Sequence, residues 1–218
     1  ESGRVRRCPV SCVLRRIAAP YSVVARGRLG QLSFTMPLSY LIGRATAHPE
    51  GEKGVKDHVS SVGYNSVTAG YFDTLRIPIL KGRGFTEHDL PDTTRVTVVN
   101  ETRAARFWPQ QEPIGKRLEI PHMPGAPWQV VGVARDSKYI TAFEWPLPYF
   151  YVPAAQNPST LRSVAVRSDT PFAELGQRIR LAIESLAPDL PIADVRPLRT
   201  TIRGNFGFVL FRVGVWQA

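Results

Sequence analysis

Gly70-Tyr-Phe-Asp-Thr-Leu-Arg-Ile-Pro-Ile-Leu-Lys-Gly-Arg-Gly-Phe-Thr-Glu-His-Asp89 is the stretch around which the chain is organised. Tyr71, Phe72, Leu75, Ile77, Ile79 and Leu80 supply apolar anchors over a short span, and Gly70, Pro78, Gly82 and Gly84 interrupt them. That alternation forbids a long helix and predicts tight corners pinned by large side chains. Downstream the same texture returns. Arg95-Val-Thr-Val-Val-Asn100 reads as a short β-branched strand, and Asn100 as the N-cap of a helix begun by Glu101. Ala104, Phe107 and Trp108 then share one side of that helix, Pro109 ends it, and the two aromatics are expected to be buried.

Further along, Pro113–Ile120 and Trp128–Ala134 predict two antiparallel strands joined by a loop containing three prolines. Strict alternation in the second strand puts Trp128, Val130, Gly132 and Ala134 on one face and Gln129, Val131 and Val133 on the other. Both faces are largely apolar, which predicts a central strand covered on each side. Residues 135–148 read as an excursion loop, and Tyr149-Phe-Tyr-Val-Pro153 as an aromatic strand. Arg162–Arg167 is the next strand. Thr170-Pro171 then opens an amphipathic helix bearing Phe172, Leu175, Ile179, Ala182, Ile183 and Leu186, and Leu190–Val195 is expected as a further strand. Upstream the pattern is weaker. Gln31–Ile42 and Val55–Val67 predict strands, and Ala47–Gly54 an exposed loop.

Six of these pieces, in this order over about 70 residues, carry a resemblance. They are Val67-Thr-Ala-Gly-Tyr-Phe72, Leu80-Lys-Gly-Arg-Gly-Phe-Thr86, Val98-Val-Asn-Glu101, Phe107-Trp-Pro109, Pro113-Ile-Gly-Lys116 and Val130-Val-Gly-Val133. Together they resemble the extracytoplasmic (periplasmic) core domain of MacB-like and FtsX-like ABC transporter permeases. The likeness is clear from Asn65 to Pro153 and looser to Leu198. It implies an α+β fold, with a porter-like βαβ-containing subdomain and a smaller β-rich subdomain. The expected division is an Arg-rich segment at 1–30 and a core at 31–198, followed at 199–218 by a linker and the start of a truncated membrane helix. Within the core, 70–136 would be the β-rich part, and 31–66 with 149–198 the porter-like part. The resemblance also implies a bacterial inner-membrane permease with this domain outside the cytoplasm. The permease would be homodimeric, served by an ABC ATPase domain or subunit, and in contact with an extracytoplasmic adaptor or substrate protein.

Composition is compatible with this. The chain has 218 residues, 43% hydrophobic and 21% charged, which suits a globular domain with a sizeable core. Nineteen prolines and 17 glycines argue against a helical bundle. The net charge of +10 raises the alternative of a soluble basic module binding nucleic acid or anionic lipid without catalysis. However, seven arginines against Glu1 put +6 of that charge in residues 1–30. The aromatics elsewhere lie in apolar runs, so nucleic acid is not expected as a partner. Cys8 and Cys12 sit in the same basic segment, without the further ligands a zinc site needs.

No catalytic, cofactor-binding or metal-binding residue is assigned, no cofactor is expected, and the chain is read as a non-enzyme. His48, His58, His88 and His122 lie in polar or proline-rich stretches without helical ligand spacing. Glu87-His-Asp89 reads as a surface turn. Lys81-Gly-Arg-Gly84 lacks the spacing of a phosphate loop and reads as a tight turn with two exposed cations.

Overall fold

The computed structural model describes residues 30–38, 42–51, 61–123, 125–157, 163–186, 188, 192 and 194–201. Cys8, Cys12, His58, the Arg-rich segment to residue 29 and the apolar stretch from residue 202 lie outside these. The described part is a mixed α+β structure built on one ten-stranded sheet. The strands are β1 (Gly30–Ser33), β2 (Gly43–Thr46), β3 (His48–Pro49), β4 (Ser61–Val67), β5 (Ile79–Gly82), β6 (Val96–Asn100), β7 (Arg117–Glu119), β8 (Trp128–Ala134), β9 (Tyr149–Pro153) and β10 (Ser163–Val166). The helices are α1 (Tyr71–Leu75), α2 (Glu101–Phe107) and α3 (Phe172–Leu186).

Four strands make the centre, in the order β4-β9-β6-β8. β4 and β9 run parallel, with Gly63 opposite Tyr149 and Val67 opposite Pro153. β6 and β8 are also parallel, while β9 and β6 meet antiparallel at Val98↔Tyr151 and Val99↔Phe150. Short strands flank this centre. β1 and β2 share the outer side of β4, and β5 and β7 share that of β8. Beyond them, β10 pairs with β1 and β3 with β7.

Alternation along the central strands feeds two cores, one on each face. Val99, Phe150, Val152, Trp128, Val130 and Val133 face α2 and Trp108. On the other face, Val96, Val98, Tyr149, Tyr151 and Ala134 pack with Tyr71 and Phe72 of α1. Phe72 meets Tyr151 edge-on at 4.9 Å, a favourable aromatic geometry. β8 departs from the strict alternation expected. Its pairing with β6 skips a residue, from Thr97↔Val130 to Val98↔Gly132. The bulge turns Val133 to the side of Trp128 and Val130, and Ala134 to the opposite side.

The organising stretch behaves as its punctuation predicts. α1 is five residues long and is bounded by left-handed Gly70 and Arg76. At Gly82 φ is +65°, and an added Cβ would lie 2.2 Å from the Val131 carbonyl oxygen; at Gly132 it would lie 2.1 Å from that of Arg83. These glycines let β5 press against β8 backbone to backbone.

Some expected elements differ. Among the described residues of Gln31–Ile42 only β1 forms, and Leu38 has a positive φ of 62° that no continuous strand accommodates. Within the loop expected at Ala47–Gly54, His48–Pro49 instead pairs with Leu118 and Glu119 of β7. The β7/β8 hairpin forms as expected, but β7 covers only Arg117–Glu119. Where a strand was expected over Leu190–Val195, the described residues Ile192, Asp194 and Val195 are irregular.

Candidate interaction surface

Asn100 is the corner at which β6 turns into α2, and its side chain is fully buried. Its Oδ1 accepts the Arg103 amide at 3.0 Å, the N-cap bond the sequence predicts, and the Tyr149 amide at 2.9 Å. Its Nδ2 donates to Asp136 Oδ1 at 2.6 Å and to the Leu147 carbonyl at 2.7 Å. Both acceptor sites and both amide hydrogens are thus in use. Asp136 also accepts from the Thr102 amide and hydroxyl, and its own amide donates to Glu101. One side chain therefore ties together the ends of β6 and β8 and the start of β9.

The same corner braces the 135–148 loop. The Glu144 carboxylate turns inward and accepts the amides of Tyr139, Ile140 and Thr141 at 2.5–2.9 Å. The Tyr139 ring stacks on Tyr149 at 3.7 Å, nearly parallel, and its carbonyl accepts the Leu38 amide. Burial raises the phenol pKa values of Tyr71, Tyr139, Tyr149 and Tyr151, so these rings are neutral packing groups. On this braced loop Phe143 is 55% exposed and Trp145 is 87% exposed. An exposed tryptophan on a fixed loop suits contact with another molecule.

Arg103, on the inner face of α2, drew no attention in the sequence, yet it is 1% exposed. Its guanidinium carbon lies 3.7 Å from the centre of the Phe107 ring, and Nη2 donates to the Ala47 carbonyl at 2.8 Å. Nε has no partner, and among the described residues no carboxylate pairs with this group. Desolvation, with a smaller contribution from Arg106, pushes its pKa down to about 9. The available signal was its spacing of four from Phe107, which puts both side chains over the sheet.

The remaining candidates separate. Trp108 is buried at 6% exposure, whereas Phe107 is half-buried at the rim, stacked on Arg103. The two cations expected to be exposed are so, and each is also paired, Lys81 with Glu112 at 2.9 Å and Arg83 with Asp89 through two bonds of 2.8 and 2.9 Å. Asp89 turns towards Arg83 and the Thr86 amide, and His88 is exposed. His48 lies 3.9 Å from Glu119, and His122 is exposed on the proline loop. Among the described residues no three His, Cys, Asp or Glu side chains converge as metal ligands, and no helix is long and apolar enough to cross a membrane.

The family model of the MacB-like periplasmic core domain matches residues 22–185. The chain belongs to this family. It is similar to the uncharacterized ABC transporter permease YvrN of Bacillus subtilis (strain 168), with 35% identity over 102 residues. That match covers 44% of this chain and only 24% of the permease. The fold is similar to the periplasmic region of MacB from Actinobacillus actinomycetemcomitans, with a TM-score of 0.55 and 17% identity over 78% of this chain and 72% of that one. It is also similar to the extracellular domain of the noncanonic ABC-type transporter YknZ from Gram-positive bacteria. There the TM-score is 0.52 at 18% identity, over 79% of this chain and 81% of the other. The α+β architecture is thus that of the MacB-like domain, and the curated relative is a permease rather than a typical enzyme.

Proposed function

We propose that this chain is the extracytoplasmic domain of an ABC transporter permease and that it carries ATP-driven movement of the membrane part outward as one mechanical block. On this reading the ATPase is a separate domain or subunit, the permease is a homodimer in a bacterial inner membrane, and the work is export or mechanical action outside it. Family membership supports the permease setting. The observation that carries the mechanical reading is the unbroken sheet from β10 to β3.

The seam between residues 70–136 and the rest falls at β6/β9, in the middle of that sheet, and again at β3/β7. Both cores span it. Phe150 and Val152 pack with Trp128 and Val130 on one face, and Tyr149 and Tyr151 with Val96 and Val98 on the other. Gln156, beyond β9, accepts the Val96 amide at 3.0 Å and donates to the carbonyls of Leu90 and Thr94. Arg167 Nε donates to the Thr74 carbonyl at 2.7 Å. Bending there would open paired strands and two packed cores together, so rigid-body motion is favoured over a hinge.

Spin labels at Asp92→Cys and Asp169→Cys, with Cys8 and Cys12 changed to serine, test this in the intact transporter. One narrow intramolecular distance is expected, unchanged between nucleotide-free and nucleotide-trapped states. A distance that shifts with nucleotide would establish a hinge between the two parts and refute the block. The isolated domain is expected not to bind ATP. Saturable binding tighter than roughly 100 μM, about 5.5 kcal/mol, would refute the assignment of hydrolysis to another subunit.

A further inference from the structure

We infer that the loop at residues 135–148 is a docking prong for an extracytoplasmic protein that offers an apolar pocket rimmed by carboxylates. This rests on the reading of the chain as the outer part of a permease. Trp145 is the most exposed large apolar side chain among the described residues, and Phe143 lies two positions before it. Aromatic residues that bury large area at little conformational cost dominate binding energy at interfaces. The loop beneath them is already ordered by the three amide bonds to Glu144 and by the bond from Asn100 to the Leu147 carbonyl, so docking need not order it.

Charge selects the partner. Glu144 is the one acid between residues 137 and 148, and its carboxylate is turned inward onto backbone amides. The Lys138 ammonium, by contrast, is exposed and sits on the Glu144 carbonyl at 2.6 Å, between the two aromatic positions. The tip therefore presents apolar rings around a positive centre. Its complement is apolar and acidic.

The prong sits at one end of the central sheet. The loop leads into Tyr149, where β9 starts, level with Gly63 of β4. Gly30 lies at the other end, because β1 is antiparallel to β4 with Ser33 opposite Val67. From the Gly63 level to the Val67 level is four residues, about 13 Å, and Gly30 lies three residues beyond the latter. The prong and Gly30 thus lie at opposite ends of the sheet.

The test uses the full-length permease with its ATPase in lipid nanodiscs and a phage-displayed library of random dodecapeptides. Peptides enriched on the unaltered complex are expected to combine large apolar residues with aspartate or glutamate. A synthetic peptide from that set should lose about tenfold in affinity on Trp145→Ala, and several-fold on Lys138→Glu. Trp145 is exposed, so its variant is expected to melt with the parent. Equal enrichment on Trp145→Ala, or selection of uncharged peptides, would overturn the proposal. So would binding of the purified chain to equimolar phosphatidylethanolamine–phosphatidylglycerol vesicles that Trp145→Ala abolishes, since the membrane would then be the occupant. ATP hydrolysis by the unaltered complex, measured alongside, reports on the permease reading separately from the prong.

Discussion

Arg103→Met removes a buried charge while keeping most of the side chain's apolar length. Burial brings the guanidinium pKa down from its ordinary value to about 9 in the folded chain, so the folded state carries a penalty whenever the group is protonated. Below about pH 9 the group is charged in both folded and unfolded chains, and the full penalty stands, roughly 5 kcal/mol. Between the two values the unfolded chain holds a proton that the folded chain has released, so stability rises with pH there. At pH 10.5 the recovery relative to neutral pH is about 2 kcal/mol. For a domain of this size that corresponds to about 4–8 °C in melting temperature. Two gains oppose the penalty, stacking on Phe107 and the bond to the Ala47 carbonyl. In the methionine variant that carbonyl loses its donor, at about 1–3 kcal/mol, while the desolvation cost disappears. The variant is therefore expected to melt near the parent at neutral pH. The assay is calorimetric melting of both proteins from pH 7 to 10.5. Buried tyrosines with raised pKa values weaken both proteins above about pH 10, because the folded state keeps protons that the unfolded state loses. They cancel in the difference. The parent should gain on the variant as pH rises through 9. A difference that is large at pH 7 and flat to 10.5 would mean that Arg103 has a counter-charge, and the reasoning would fail.

Trp108→Ala should cost about 3–5 kcal/mol in urea unfolding, and Phe107→Ala clearly less, because only Trp108 is fully inside the core; equal losses would contradict the burial. Asn100→Asp sets a second carboxylate where Nδ2 now lies 2.6 Å from Asp136, and should cost about 3 kcal/mol or more at neutral pH. Hydrogen exchange at the Tyr149 amide should quicken with it, and an unchanged exchange rate would show that the corner does not hold the loop. At Asp89, burial alone would raise the carboxyl pKa, but the Arg83 guanidinium and the Thr86 amide outweigh it and hold the value below the ordinary carboxylate range. Its contribution is present above the unfolded value and lost as pH falls through the folded one, so the stability gap between parent and Asp89→Asn should close on acidification. A constant gap in urea midpoints from pH 6 to 2 would count against the pair.

Local signals were legible where one strand or helix could be read by itself. β6, β8, β9 and α3 stand close to where β-branching, aromatic runs and three-to-four spacing put them. The Asn100 cap was visible because capping needs only a side chain and its own next turn. Pairing across the chain was not legible. Nothing local in Ser61–Val67 says that its neighbour is Tyr149–Pro153, since a parallel register leaves no turn to read. β3 escaped because two residues carry no period, and Pro49 reads as loop. Of the candidate surface, only the 135–148 loop was in view; the exposure of Phe143 and Trp145 on it follows from Glu144 folding under them, a choice made in three dimensions. Arg103 was hidden by its residue type, since arginine on a short helix defaults to the solvent side.

β9 lies between β4 and β6, and all five of its residues are buried. It is also the last of the four central strands to leave the ribosome. Until Pro153 has emerged, β4 has no central neighbour, and β6 and β8 pair with each other along an open flank. Closing the middle of the sheet then joins residues some 86 positions apart, a loop-closure cost met before any contact repays it. Folding is thus postponed until most of the domain is synthesised. Closing the middle of the sheet thus falls late in synthesis, an order compatible with passage of the chain across a membrane before the fold is complete.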